Sequence, residues 1–180
     1  MDKKLKDSLS QIKLLICDID GVLTDGSFIK STSGEELRSF NALDGVGFVI
    51  LRLLDLNVKT AWITGRESLT TTQRAEELQI DDVYNGVIRK IDAYTELKTK
   101  YGLSDSEVCF IGDDIIDIPI LEKVGFAVTV PKAPKYISNY VHYTTEVEGG
   151  KGAVREVIDL LIESRGDFTK QLDKLLSELR

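Results

Sequence analysis

The sequence predicts an α/β fold, a doubly wound parallel sheet with a small β-hairpin insertion and no large cap domain. Short apolar, β-branched runs alternate with stretches that carry apolar residues at helical spacing, which is the pattern of βαβ units. Only the stretch 27–40 breaks this alternation, since two extended runs flank the turn-like Thr32-Ser33-Gly34. No repeat, low-complexity tract or composition shift marks a second domain. We therefore expect residues 1–180 to form one domain.

The individual elements follow from the same patterns. Strands are predicted at 13–17, 58–63, 83–84, 108–111, 127–130 and 140–143, and helices at 46–55, 68–78, 90–101, 117–124 and 153–164. A last amphipathic helix at 169–180 follows Gly166-Asp167, and we expect it to pack on a partner or to fray. In parallel sheets with right-handed crossovers, ligands bind beyond the carboxyl ends of the strands.

Composition excludes several classes of function. The 180 residues carry a formal net charge of −7, which argues against nucleic acid or an anionic membrane as the main partner, because both attract basic surfaces. The basic N-terminus leads into only a short apolar run without a small-residue cleavage site, so we expect no signal peptide. No apolar stretch approaches the roughly 18 residues that a membrane span needs.

The cysteines and the histidine predict no further chemistry. Cys17 and Cys109 fall in predicted buried strands, so we interpret them as core thiols of a cytoplasmic protein. His142 is the only histidine. It cannot build a zinc site alone, and a surface or packing role is expected.

Two aspartates stand directly after the first apolar strand. In Cys17-Asp18-Ile19-Asp20-Gly21 the two carboxylates are two residues apart, so in an extended chain they project to one side, about 7 Å apart at the backbone. Like charges about 4 Å apart repel by roughly 4 kcal/mol at an effective dielectric near 20. A fold tolerates such a pair where Mg²⁺ or a proton offsets the repulsion.

Further polar residues follow the later strands. Thr64-Gly65-Arg66 comes after the second strand of the sheet, Lys90 opens a helix after the third, and Gly112-Asp113-Asp114 with Asp117 follows the fourth. Each alone also fits an ordinary turn, a helix start or a solvated lysine. Together they gather carboxylates, a hydroxyl and a lysine at one edge. This set suits Mg²⁺-assisted phosphoryl transfer to a carboxylate.

In this order, the four motifs resemble the haloacid dehalogenase superfamily of phosphotransferases from Ile12 to about Gly166. The resemblance implies its Rossmann-like fold, with Asp18 as nucleophile and Asp20 as general acid and base. It also implies that Thr64 and Lys90 contact the transferring phosphoryl group. The implied Mg²⁺ ligands are Asp18, the backbone carbonyl of Asp20, and Asp113, with Asp114 and Asp117 orienting the lysine and metal-bound waters.

The chain also resembles the small tetrameric branch of this superfamily that hydrolyses 3-deoxy-D-manno-octulosonate 8-phosphate in lipopolysaccharide biosynthesis. Five segments carry this resemblance, 18–26, 40–45, 63–66, 112–117 and 149–156. That resemblance implies a cytoplasmic homotetramer whose neighbouring subunits cover the site, with the hairpin as the assembly surface. The residues implied to meet the sugar acid are Asn41, Asp44, Gly45, Arg66 and Arg74. An arginine fork suits a carboxylate, although Arg74 fits a solvated helix face equally well.

Other functions stay open on the sequence. Leu43 and Val49 stand where the branch usually has basic residues, which favours considering nine-carbon 2-keto-3-deoxy sugar acid 9-phosphates as substrates. A non-catalytic regulatory module and phosphate transfer to an acceptor other than water are further alternatives. A phosphate-binding loop is excluded, because Gly150-Lys151 is followed by Gly152 and the first glycine of that motif is missing. We interpret the glycine-rich start of segment 149–180 as a flexible hinge.

Overall fold

A computed structural model of the chain describes residues 3–34, 36–166 and 168–178. Its centre is a six-stranded sheet in the spatial order β5-β4-β1-β6-β7-β8, in which every neighbouring pair is parallel. A separate antiparallel pair, β2 and β3, forms the small hairpin. The strands are β1 Leu14–Cys17, β2 Ile29–Lys30, β3 Glu36–Leu37, β4 Lys59–Thr64, β5 Asp82–Asn85, β6 Val108–Ile111, β7 Phe126–Thr129 and β8 Tyr143–Thr144.

Helices cover both faces of the sheet, because successive side chains of each strand point to opposite faces. Leu15 and Cys17 of β1 belong to one apolar cluster, and Leu14 and Ile16 to the other. The first cluster packs against α1 Lys3–Ser10, α2 Ala42–Leu53, α3 Leu69–Leu78, α6 Ala153–Ser164 and α7 Phe168–Glu178. The second packs against α4 Lys90–Tyr101 and α5 Ile118–Leu121. The doubly wound architecture predicted from the sequence is therefore confirmed.

The strand order places a crevice beside β1. The chain leaves β1 for β4 and β5 on one side, and returns across the sheet to β6, β7 and β8 on the other. Such a reversal of direction opens a gap between the loops at the carboxyl ends of the strands. The residues that follow β1, β4 and β6 therefore face one another.

Most predicted elements are present with small shifts in their bounds, but one helix was missed and two local expectations were wrong. Helix α1 was not predicted. Helix α2 begins at Ala42 rather than 46, because the Asn41 side chain accepts the amide of Leu43 at 2.8 Å and caps it. Residues 140–142 are not strand, since a 3₁₀ turn occupies Lys135–Tyr140 and only Tyr143 and Thr144 pair with β7.

The terminal helix packs on its own chain instead of fraying. Leu175 of α7 is buried in the first apolar cluster, and Lys174 Nζ donates to the carbonyl of Leu54 after α2 at 3.1 Å. Glu35 of the predicted hairpin, Asp167, and the end of the predicted terminal helix at 179–180 lie outside the described residues.

The cysteines and the histidine have packing roles. Cys17 and Cys109 are free and buried, as expected. The Nδ1 of His142 accepts the amide of Ala127 at 2.9 Å, and its ring stacks on Phe126. In the part of the chain that the structure describes, no helix combines the length and apolar character needed to cross a bilayer.

Candidate active site

A cleft of about 300 Å³ opens at the carboxyl ends of β1, β4 and β6. The segments that follow these strands supply most of its walls, as the strand order requires. The residues that line it are Asp18, Asp20, Thr64, Gly65, Arg66, Ile88, Asp113, Asp114 and Ile116. The structure therefore brings together residues from three of the four sequence motifs, and Lys90 of the remaining motif lies directly beneath them.

Lys90 is completely buried between two carboxylates. Its Nζ lies 2.7 Å from Asp18 Oδ1 and 2.7 Å from Asp117 Oδ1. Burial disfavours the charged amine, but the two carboxylates outweigh this cost and raise the pKa of Lys90. The other oxygen of Asp117 accepts the amides of Asp113 and Asp114 at 3.0 and 3.2 Å. Asp117 thus fixes both the lysine and the loop after β6, the position that an orienting residue requires.

Three carboxylates form a cluster that fits a hard divalent cation. Ligand oxygens of Asp18, Asp113 and Asp117 all lie within 4.8 Å of one another. Burial raises the pKa of Asp18, and burial with the charge of Asp117 raises that of Asp113 to about 6. One lysine cannot balance three anions, and carboxylate oxygen is the donor that Mg²⁺ prefers. Because both oxygens of Asp117 are already engaged, Asp18 and Asp113 are the better ligands.

Gly21 is required by the turn that carries the two aspartates. Its φ is +97°, and a Cβ at this position would lie 2.0 Å from Asp113 Oδ2. A larger residue would strain the backbone and collide with a candidate metal ligand. Gly149 packs as closely on this turn, since its Cβ would lie 1.7 Å from the Gly21 carbonyl oxygen. Close packing also explains Gly150, whereas a Cβ at Gly152 would meet nothing nearer than 3.6 Å, so the interpretation of this segment as a flexible hinge stays a prediction.

Asp20 has different partners from Asp18. The Thr64 hydroxyl donates to Asp20 Oδ2 over 3.4 Å, and it also accepts the amide of Arg66 at 3.2 Å. On the other side, Arg38 NH1 lies 3.1 Å from Asp20 Oδ1. Sequence reasoning missed this arginine, which comes from the segment that follows β3.

Arg38 and Glu36 extend the site into the hairpin. The Arg38 Nε lies 3.1 Å from one oxygen of Glu36, and Arg66 NH1 lies 3.0 Å from the other. The Arg66 guanidinium also stacks over the Phe28 ring at 3.9 Å. A signal for this contact exists in the sequence, since Glu36 and Arg38 are two residues apart and share one face of an extended segment.

Of the residues implied to meet the sugar acid, Arg66 lines the cleft and the other four do not. Asn41 caps α2, and its amide donates to the Gly150 carbonyl at 3.2 Å. Gly45 packs under Arg74, whose NH2 would lie 2.5 Å from a Cβ there, and Arg74 pairs with Glu77 at 2.9 Å. Within one chain these side chains serve packing and helix capping.

Asp44 likewise faces away from the cleft. It is 1% exposed, and its Oδ1 accepts the amide of Arg155 at the start of α6 at 2.8 Å. Burial raises the pKa of Asp44 to about 6. Asp114 lines the cleft but does not contact Lys90, because its carboxylate accepts the Ile115 amide at 2.7 Å and the Tyr136 hydroxyl at 3.2 Å.

Comparisons with known proteins agree with this geometry. A family model described as haloacid dehalogenase-like hydrolase matches residues 66–158. The 3-deoxy-D-manno-octulosonate 8-phosphate phosphatase KdsC of Salmonella typhi is 42% identical over 155 residues, which cover 86% of this chain and 81% of the relative. The corresponding protein of Yersinia pestis is 42% identical over 153 residues, which cover 85% and 81%.

Solved structures give the same family. The crystal structure of the Yersinia pestis phosphatase superposes with a TM-score of 0.89 at 37% identity, covering 96% of this chain and 90% of that one. The Moraxella catarrhalis phosphatase, solved in complex with a magnesium ion, a phosphate ion and a KDO molecule, superposes with a TM-score of 0.91 at 32% identity, covering 97% and 99%. The chain therefore belongs to the haloacid dehalogenase-like hydrolase family, and its relatives from these three organisms are phosphoric monoester hydrolases.

Proposed function

We propose that this protein is a Mg²⁺-dependent phosphatase that hydrolyses 3-deoxy-D-manno-octulosonate 8-phosphate to the free sugar acid and phosphate through a phosphoryl-Asp18 intermediate. The observation that carries this proposal is the placement of Lys90, 2.7 Å from Asp18 and 2.7 Å from Asp117, beside the Asp113 carboxylate. A buried ammonium at the base of an open cleft attracts a dianionic phosphoryl group, and the carboxylate beside it is a nucleophile.

The two half-reactions use two different carboxylates. In the first, an oxygen of Asp18 attacks phosphorus, the bond from phosphorus to the ester oxygen breaks, and Asp20 gives its proton to the leaving alcohol. In the second, water attacks phosphorus, its proton passes to Asp20, and the bond from Asp18 to phosphorus breaks. Asp18 and the protonated Asp20 are then restored. This division of work requires Asp20 to lie beside Asp18 without attacking, as its separate partners favour.

The residues around the cleft have supporting roles in this scheme. Lys90 and Thr64 bind oxygens of the phosphoryl group, and Asp117 keeps Lys90 in place. Mg²⁺ held by Asp18, the Asp20 carbonyl and Asp113 supplies charge neutralisation for the phosphoryl oxygens when bound. Asp114 completes the cleft wall.

The sugar acid is proposed from the relatives and from Arg66. The guanidinium of Arg66 lies at the cleft and is 35% exposed, so it can pair with a carboxylate of the substrate. Leu43 and Val49, the two departures noted in the sequence, both lie outside the set of cleft-lining residues, and Leu43 is 55% exposed. Within one chain, these departures therefore do not affect the residues that line the cleft.

The test is an assay of phosphate release from the octulosonate phosphate with Mg²⁺, and of a nine-carbon 2-keto-3-deoxy acid 9-phosphate beside it. We expect turnover of the eight-carbon ester, and its loss by at least about 10³-fold in Asp18→Asn, which removes the nucleophile and little volume. The control is Asp92→Asn, the same change at an exposed position of α4.

Each other outcome contradicts a stated part of the proposal. Turnover of the nine-carbon ester alone would reject the eight-carbon substrate, and retained turnover in Asp18→Asn would reject the phosphoryl-aspartate. A wild-type protein inactive on every ester would favour a regulatory module. A phosphorylated alcohol formed when a competing alcohol is added would favour transfer to another acceptor.

Assembly and location complete the proposal. We propose a cytoplasmic homotetramer in which the hairpin meets neighbouring copies. Its cross-strand partners Ile29 and Leu37 are 67% and 63% exposed, and such apolar exposure favours burial in an interface. Sedimentation of the intact protein tests this, because a monomer would contradict it.

A further inference from the structure

Arg38 is the cation that the proposed mechanism leaves unused. Its side chain is completely buried and contacts two carboxylates, Asp20 and Glu36. The hydroxyl of Thr71 in α3 accepts a hydrogen bond from Arg38 NH1 at 3.2 Å. A buried charge is costly unless it is paired and hydrogen-bonded, and the NH2 of Arg38 has no hydrogen-bond partner among the described residues. An arginine inserted from the hairpin at a cleft carboxylate therefore calls for an explanation.

The two oxygens of Asp20 have unequal surroundings. Oδ1 is buried and faces Arg38 NH1 at 3.1 Å, with no hydrogen-bond partner among the described residues. The side chain as a whole is 28% exposed and lines the cleft, so Oδ2 is the oxygen open to a substrate. Thr64 approaches Oδ2 only at 3.4 Å, which is a weak contact.

Resting on the function proposed above, we propose that Arg38 is a positioning residue for Asp20. It holds Oδ1 by charge, so that Oδ2 faces the cleft and exchanges the proton with the ester oxygen and then with water. The contact is an ion pair without hydrogen-bond geometry, so it fixes the position of the carboxylate and leaves the proton-exchanging oxygen free.

Glu36 links the ion pair of Arg38 and Asp20 to the hairpin. One of its oxygens lies 3.1 Å from Arg38 Nε, and the other 3.0 Å from Arg66 NH1. Once Asp20 has given its proton to the leaving alcohol, two carboxylates, of Asp20 and Glu36, balance two guanidiniums, of Arg38 and Arg66. The Glu36 carboxylate of β3 therefore contacts two arginines. One is Arg38, which holds Asp20, and the other is Arg66, which is proposed to bind substrate.

Two roles of Arg38 can be distinguished by the ester used. If Arg38 only anchors the hairpin, its removal should slow all esters alike, whereas if it positions Asp20, the effect on each step should depend on the leaving group. Nitrophenolate leaves without a proton, whereas an alkoxide needs one, so formation of the phosphoryl-enzyme depends on Asp20 only for alkyl esters. Breakdown by water needs Asp20 for every ester. Loss of Asp20 positioning should therefore let the phosphoryl-enzyme accumulate with p-nitrophenyl phosphate alone.

The experiment compares Arg38→Met with the wild-type protein at saturating Mg²⁺. With p-nitrophenyl phosphate we expect a burst of about one nitrophenolate per site, followed by a steady state slowed by about 10²-fold. With the octulosonate phosphate, or whichever alkyl ester the wild-type protein hydrolyses, we expect no burst, kcat lower by about 10²-fold, and KM within threefold. Arg38→Lys keeps a cation and should recover at least tenfold of the loss.

Arg52→Met is the matched control, since Arg52 lies outside the set of cleft-lining residues and its NH1 links α2 to the Leu78 carbonyl at 3.0 Å. It should lower the melting temperature without a burst or a change in kcat. Equal slowing of both esters by Arg38→Met without a burst, or unchanged kinetics, would overturn the proposal. If Arg38→Met does not fold, Arg38→Gln, which also removes the charge, takes its place, and a missing burst in that variant overturns the proposal. p-Nitrophenyl phosphate tests the role of Arg38 whatever the natural sugar is. A wrong substrate assignment can therefore be distinguished from a wrong role for Arg38.

Discussion

Asp18 and Asp20 lie two residues apart in one turn, yet their cations come from different parts of the chain. The cation of Asp18 is Lys90, the first residue of α4 and part of the main body of the fold. The cation of Asp20 is Arg38, which follows the hairpin strand β3. Both cationic side chains are completely buried. The body thus holds the proposed nucleophile, and the insertion holds the proposed proton-transfer group.

The charge balance differs between these two halves of the site. Around Lys90 there are three carboxylates, Asp18, Asp113 and Asp117, for one ammonium. Around Arg38 two carboxylates meet two guanidiniums. Only the Lys90 half therefore carries excess negative charge that an added cation can neutralise. The imbalance favours a cation beside the carboxylates of Asp18 and Asp113 rather than beside the Asp20 carboxylate.

The largest expected effect comes from Lys90→Met, which removes the cation of the Asp18 half. We expect kcat to fall by about 10³-fold, since a preorganised charge at the phosphoryl group is lost. Removing one partner of a buried ion pair also destabilises a fold by about 3–5 kcal/mol. Because three carboxylates then lack a protein cation, Mg²⁺ should raise the melting temperature of the variant more than that of the wild-type protein.

The control for this variant lies on the same helix. Lys98 pairs with Asp105 on the outer side of α4, and Lys98→Met should leave kcat unchanged. Steady-state kinetics and thermal melts with and without Mg²⁺ measure both effects. A Lys90→Met protein with kcat within tenfold of wild type would show that the Asp18 half does not depend on its lysine.

We expect a smaller effect when the pH is lowered, namely a weaker affinity for Mg²⁺. Burial and the charge of Asp117 raise the pKa of Asp113 to about 6. Well below that pH Asp113 is protonated and cannot ligate, so binding is strongest well above pH 6 and weakens as the pH falls through about 6. The apparent Mg²⁺ dissociation constant should rise about tenfold per pH unit below 6.

Calorimetric titration with Mg²⁺ at pH 7.5, 6 and 5 measures this dependence. Asp92→Asn provides the control, because Asp92 lies on the exposed side of α4 and pairs with Arg89 rather than with the carboxylate cluster. Equal dissociation constants at pH 7.5 and pH 5 in the wild-type protein would contradict the role of Asp113 as a ligand.

The Asp18 half could be predicted from the sequence and the Asp20 half only in part. Asp18 and Asp113 follow strands of the parallel sheet and Lys90 begins the helix after another strand, and the topology of the sheet alone brings these positions together. No comparable rule predicts that Arg38 lies beside Asp20. The hairpin strands are two residues each, and the direction in which a short insertion folds over the sheet depends on contacts that sequence periodicity does not record.

The same limit applies to residues placed by family resemblance. Asn41, Asp44 and Gly45 form a polar loop in the sequence, which favours a binding role. Within one chain, local hydrogen bonds engage them, since Asn41 caps α2 and Asp44 accepts the Arg155 amide at the start of α6, and their role in substrate binding stays a prediction. Helix-capping side chains and substrate-binding side chains are of the same types, so only their surroundings distinguish them.

The smallest expected effect comes from Thr71→Val, which tests how firmly the Asp20 half is held. The Thr71 hydroxyl is buried in α3 and accepts from Arg38 NH1 at 3.2 Å, and valine keeps its shape without the hydroxyl. Losing one such hydrogen bond costs about 1 kcal/mol, so we expect kcat to fall by two- to fivefold with KM unchanged. Because the Lys90 half is untouched, the Mg²⁺ dissociation constant should equal that of the wild-type protein. A changed Mg²⁺ affinity in Thr71→Val would mean that the two halves are coupled through the turn at Gly21, and that the separation between body and insertion is incomplete.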